Sequence, residues 1–262
     1  INTALVNQSL LVFRGFGNNL GGSVENQAGA TLRVQGDGTI SGAQLAVAQG
    51  FTNNGLIELT SVVNGQSSVL IVNNGTLVNP PGGVINVLTG AGNNGRVINA
   101  ELNNQGTLTV GASLSLSKSP AAHLNSGSIL LTNGDLTLSQ SGTPSSFTTT
   151  GLVDIGNGLN FVVNGGTLNY NAGTIGGSGT LSLNNATANF VPNFSNASTA
   201  LYLNGATVNG PGIVTNAVGK TLNLDNGTIN TALVNQSLLV FRGFGNNLSG
   251  SVENQAGATL RV

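Results

Sequence analysis

Residues 1–34 of this chain return at its end as residues 229–262, with one difference, Gly21 against Ser249. A single constant offset carries Ile1 to Ile229 and Val34 to Val262. Self-similarity at a long fixed period is the mark of an architecture that grows by repetition. The reading is one full repeat over 1–228 and the opening of the next over 229–262, within a single continuous solenoid over 1–262. If each coil takes roughly 21 residues, the period holds about 11 coils. Ile229 should then stand in the place of Ile1, moved along the axis by those coils.

Local patterning says what the repeat is made of. Apolar residues alternate with small polar ones over four to six positions, as in Thr31-Leu32-Arg33-Val34, Leu56-Ile57-Glu58-Leu59, Thr107-Leu108-Thr109-Val110, Leu136-Thr137-Leu138, Thr180-Leu181-Ser182-Leu183 and Thr221-Leu222-Asn223-Leu224. Period-two alternation ending in Asn-Gly or Gly-Gly predicts short strands and turns. Helix formers never cluster. A phrase of Asn, one or two residues, then Gly precedes the strands repeatedly: Asn26 with Gly29, Asn53 with Gly55, Asn73 with Gly75, Asn104 with Gly106, Asn125 with Gly127, Asn216 with Gly219, Asn254 with Gly257. Gly supplies positive φ at a corner, and Asn tolerates the left-handed region and can pair with its copies along a stack.

The same turn phrase before very short strands favours a right-handed parallel β-helix, all β, over an antiparallel sandwich. Inward Val, Leu and Ile would then form one column. Phe13, Phe51, Phe147, Phe161, Phe190 and Phe194 are expected in that column. At about 4.8 Å per coil the repeat extends the solenoid by roughly 50 Å. Four segments break the rhythm and are expected as turns or excursions from a corner: 79–83 (Asn-Pro-Pro-Gly-Gly), 117–125 with Lys118, Pro120 and His123, 139–150 with Pro144, and 191–199 with Pro192 and Phe194.

Charge narrows the function. Only 6% of residues are charged and the net charge is -1, against about 25% charged in ordinary soluble chains. The seven basic residues, Arg14, Arg33, Arg96, Lys118, Lys220, Arg242 and Arg261, are scattered, so no basic stripe offers itself to nucleic acid. No apolar run reaches the roughly 18 residues of a membrane span. There is no cysteine, which excludes disulfides and thiolate chemistry. The chain opens at Ile1 without Met and is expected to be a mature product or a fragment.

Phrases such as FVVNGGTLNY (161–170) and TIGGSGTLSL (174–183) resemble the β-helical stalks of large bacterial surface proteins, of the filamentous-haemagglutinin-like adhesin and autotransporter-passenger type. The resemblance spans nearly the whole chain and implies secretion and an extracellular, cell-surface role.

Catalysis has little to build on. His123 is the sole histidine and is expected in a solvated loop. Asp135 and Asp154 are separated by nearly one coil length of sequence and could meet on adjacent coils as a glycosidase pair does, which is the enzyme alternative. Gln35-Gly36-Asp37-Gly38 is one partial copy of a calcium-binding repeat and falls short of a site. No catalytic, cofactor-binding or metal residues are assigned. The expected function is structural, a fibre, filament or adhesin stalk. Its expected partner is itself, by head-to-tail stacking of solenoid ends or by tandem repeats. A third reading has loops near His123, Pro144 and Phe194 bind a cell-surface glycan or protein.

Overall fold

The chain is a parallel β-solenoid of about 12 turns, seen in a computed structural model that describes residues 1–92 and 94–262; no helix occurs among the described residues. Every registered strand pair is parallel, and each strand pairs with the strand about one coil further along the chain. Three faces make up a coil. The first face runs from Leu5–Asn7 and Val24–Asn26 to Thr228–Ile229 and Asn247–Leu248. The second runs from Leu10–Phe13 through eight strands to Thr174–Gly177. It resumes as the four strands Phe194–Ser195, Val214–Asn216, Leu233–Asn235 and Val252–Asn254, with Thr199 Oγ1 donating to Gly177 O across the gap. The third runs from Asn18–Leu20 to Leu238–Arg242 and Thr259–Arg261. Three long strands, Ala43–Asn53, Ser68–Asn79 and Arg96–Asn104, turn from the third face into the first without a break. A register shift marks each turn.

The strands form where alternation places them, because each has one apolar row to bury and one polar row to leave out. Leu32, Val34, Ile57, Leu59, Ile85, Val87, Leu108 and Val110 are fully buried, on successive strands of the second face. The core is one cluster running from Phe13 to Leu239. All six phenylalanines named above lie in it. Phe147 meets Phe161 edge-on at 5.5 Å, and Phe190 stacks on Phe194 at 5.2 Å. Each such contact adds about 0.5–1.5 kcal/mol to the burial itself.

Two devices hold the corners. At the end of the first face Asn7, Asn26, Asn53, Asn79, Asn104 and Asn125 form a buried ladder. Each side-chain Nδ2 donates to the next Asn Oδ1 at 2.7–2.8 Å, and Asn125 ends the row on Thr149 Oγ1. The second Nδ2 hydrogen goes to a strand-start carbonyl, from Thr31 O to Leu152 O. Both donors of each amide are therefore used inside the corner, which is why a polar column can be buried. A second ladder, Asn196, Asn216, Asn235 and Asn254, stands at the end of the second face with 2.7 Å links.

The glycine of the Asn-Gly phrase is needed for a different reason than expected at three positions. Gly55, Gly106 and Gly127 do not have positive φ, nor does Gly151, which follows three Thr. They are packed against the backbone of the coil before. A Cβ on Gly106 would fall 2.2 Å from Gly83 O, one on Gly127 2.1 Å from Gly106 O, and one on Gly151 2.1 Å from Gly127 O. Close approach, not conformational freedom, demands glycine in this stack.

Three expectations are corrected. The segments around Pro120 and Pro144 are not excursions: Ala121–Asn125 and Ser145–Thr149 are first-face strands paired with each other. Within 191–199, Phe194–Ser195 is a second-face strand. The offset between the two copies is also not a whole number of coils. Leu5–Asn7 lies on the first face, but its copy Leu233–Asn235 lies on the second; Leu10–Phe13 lies on the second, its copy Leu238–Arg242 on the third. Ile1, whose carbonyl accepts from Gly21 N, lies against the third face, whereas Ile229 pairs with Leu248 on the first. Counted strand by strand, the offset is thirty-one faces, or ten coils and one face. That count puts about 22 residues in each coil, within the range of repeat units that stack into solenoids.

Removing one rung should be costly. Asn79→Ala leaves one Asn53 amide N–H without an acceptor and Asn104 Oδ1 reaching no donor from that side, a loss of about 2–4 kcal/mol. Gly127→Ala should cost about 1–3 kcal/mol by overpacking, while Gly95→Ala, whose Cβ meets no described atom within 4 Å, should be tolerated. Denaturant midpoints of the three variants measure the ranking.

Candidate functional site

The residues with catalytic chemistry are held apart. Asp135 precedes the third-face strand Leu136–Ser139, and its carboxylate accepts from Asn160 N at 2.7 Å and from Asn160 Nδ2. Asp154 lies on the second face opposite Leu130. Adjacent coils thus align Asp135 with Asn160, not with Asp154, so the two-carboxylate pair is not formed. Asp37 is occupied by Thr39 N, Thr39 Oγ1 and Arg14 at 3.4 Å. Its hydrogen bonds to Thr39, helped by Arg14, hold its pKa below the usual aspartate value. No group of three or more His, Asp or Glu able to hold a metal occurs among the described residues.

His123 is not in a solvated loop. It points inward from Ala121–Asn125 and is fully buried. Its Nδ1 accepts from Leu102 N at 3.2 Å, beside the register shift between Asn99 and Glu101. The ring thus supplies an acceptor to a backbone N–H at the bend between two faces. Nε2 then carries the proton, and it has no partner. Burial pushes the imidazole pKa down to about 4, with the Glu101 carboxylate opposing. Glu101 itself accepts from Ala122 N at 3.0 Å and Thr76 Oγ1 at 2.9 Å.

Arg96, one of the scattered charges of the sequence, is fully buried. Its guanidinium donates to the carbonyls of Gln66, Leu88, Thr89, Gly92 and Asn94 and to Ser61 Oγ. Desolvation lowers its pKa. Five donors in a fixed fork suit a Gly- and Asn-rich corner where several backbone carbonyls converge. The sequence signal for this role was that loop composition, not the charge.

The third reading loses much of its surface. Phe194 and His123 are buried, and of its three markers Pro144 alone is exposed. The concavities are open surface grooves. One of about 470 Å³ is lined by Leu5, Val24, Glu25, Phe51 and Thr52 on the first face.

The arrangement with most to offer is the pair of solenoid ends, because the same repeated segment lines both. The strand edges of Leu5–Asn7 and Leu10–Phe13 are unpaired on one side, while beside Asn18–Leu20 Ile1 N donates to Asn19 O and Ile1 O accepts from Gly21 N. The edges of Asn247–Leu248, Val252–Asn254 and Thr259–Arg261 are also unpaired on one side. What one copy buries, the other leaves open. Ile1 is 62% exposed and Ile229 1%; Leu32 is 0% and Leu260 45%. Arg33 pairs with Glu58 at 2.6 Å, whereas its copy Arg261 has no acidic partner among the described residues. Within each copy the internal pairing is the same: Leu5 with Val24 and Leu233 with Val252, Leu11 with Leu32 and Leu239 with Leu260.

No protein-family model, curated protein or solved structure matches the chain. No helix among the described residues is long and apolar enough to cross a membrane.

His123 gives a pH signature. Its folded pKa lies below the unfolded value of about 6.5, so the stability it protects is complete above about pH 6.5. As pH falls from there toward the folded value, the unfolded chain takes a proton that the folded chain refuses. The expected loss is about 3 kcal/mol. Urea titrations of the native chain and His123→Leu across this range measure it: the difference between the two should shrink as pH falls, and a constant difference would show that His123 titrates normally.

Proposed function

We propose that this chain is a length-giving structural element: a segment of an extracellular, repeat-built fibre or of an adhesin stalk at a bacterial cell surface. The observation that carries the reading is the repeat: residues 1–34 and 229–262 keep the same internal strand register at two places along one continuous solenoid. Unpaired strand edges are sites of pairing with further strands, and in a solenoid each coil is stabilised by its neighbours.

The mechanism is geometric. Each coil adds parallel backbone hydrogen bonds, corner side-chain pairing and a layer of aliphatic side chains, and so adds about 4.8 Å of length. Function in this reading needs no reacting group, in keeping with the separation of Asp135 from Asp154 and the burial of His123. Sparse Lys and Arg, seven in the chain, also give trypsin-like proteases few sites, an advantage outside the cell. The likeness of its strand phrases to filamentous-haemagglutinin-like stalks supports secretion and the cell surface. The partner in this reading is the chain's own repeat.

Electron micrographs of the native material test it. Unbranched fibres or stalks with a unit spacing of about 50 Å are expected; discrete compact particles would overturn the reading.

A further inference from the structure

We infer that units of this protein joined in tandem follow a threefold screw, each unit seated ten coils and one face beyond the last, and that the end formed by Asn247–Leu248, Val252–Asn254 and Thr259–Arg261 is the seat for residues 35–61 of a following unit. The proposal deepens the fibre reading and rests on it.

The occupant is identified by what already covers the first copy. Asn18–Leu20 is covered by residues 45–47, Val24–Asn26 by residues 52–53, and Thr31–Gly36 by Leu56–Ser61. The copies of these strands at the other end lack that cover. Four individual contacts are left waiting. Asn26 donates to Asn53 Oδ1 at 2.7 Å and to Leu56 O, while its copy Asn254 donates only to Ala258 O. Arg33 has Glu58; Arg261 has the position of a following unit's Glu58 before it. Arg14 has Asp37, so Arg242, which now faces Asp225 at 3.9 Å, would gain a following unit's Asp37. Phe16 lies close to Gly42, where a Cβ would touch its ring at 3.2 Å, and is 60% exposed against 97% for its copy Phe244.

The one-face rotation follows from the same pairings. Residues 1–34 and 229–262 keep identical internal register on different faces, so the segment is indifferent to which face it occupies. The ladder Asn7–Asn26 begins the column at the end of the first face, and its copy Asn235–Asn254 ends the column at the end of the second. Covering Asn254 as Asn26 is covered extends that second column. A unit therefore repeats at about 50 Å, and the same face returns only after three units, at about 150 Å. Covalent tandem growth is favoured over end-to-end stacking of separate chains. In a separate chain residues 45–61 are already seated on that chain's own residues 18–36.

The test is the full chain extended past Val262 by a second copy of residues 35–262, in a sequence free of cysteine. Thr259→Cys is combined with Leu56→Cys in the second copy; the internal control is Thr31→Cys with Leu56→Cys, whose backbones are register neighbours. Neighbouring parallel strands sit about 4.8 Å apart, within the Cα range of a disulfide. The junction pair should cross-link on mild oxidation to within twofold of the control. Fibres should show a layer line at about 150 Å as well as one at about 50 Å. If the control links and the junction pair does not, the seat and its rotation are overturned. If the junction links but native material shows only compact particles, the seat stands and the fibre reading falls.

Discussion

Each coil of this protein is stable only because the next coil completes its hydrogen bonds. The backbone N–H and C=O groups of every short strand point along the axis, and a three- to five-residue strand has no partner within its own coil. Register between coils is therefore the condition on which everything else rests. The buried Asn ladders enforce it at the corners. An amide displaced by one residue would face a core of Leu and Val, and an unpaired buried amide is costly. Glycine carbonyls stacked 2.1–2.2 Å from a would-be Cβ enforce the same spacing from the backbone side.

Such a fold has an interior but few places for chemistry. The column is filled by aliphatic and aromatic side chains, and several of the polar groups that enter it serve structure. Arg96 is committed to corner carbonyls, His123 to the Leu102 N–H, and the Asn rows to one another. The surface carries three ion pairs among the described residues. The repeated segment, whose internal register is the same on two different faces, is the physical basis of the fibre proposal.

Much of this was legible in the residues. The alternating runs mark the strands, the six phenylalanines suit the column, and the recurring Asn suits a corner where it can pair along a stack. The failures share a cause. Pro120 and Pro144 suggest excursions in the sequence, yet each stands just before a regular strand of the first face. The neighbours of His123 in sequence suggest a loop, whereas its inward alternation with Ala121 and Asn125 is the better signal. A nominal coil length brings Asp135 and Asp154 onto adjacent coils but does not say which face a residue occupies.

Composition and pattern determined by themselves that the chain would be all β, built of short strands with Gly and Asn at the corners, repetitive, and without cysteine chemistry. These follow from local propensities and from the near-identity of residues 1–34 and 229–262. Only the tertiary structure decided how the repeat is phased around the axis. Successive rungs of the first Asn ladder are 19, 27, 26, 25, 21 and 24 residues apart, because corner loops absorb different lengths while backbone pairing holds the coil spacing fixed. A constant period in sequence therefore fixes no whole number of turns. The sum of those unequal corners comes to ten coils and one face, and that extra face carries each copy onto a new side of the solenoid.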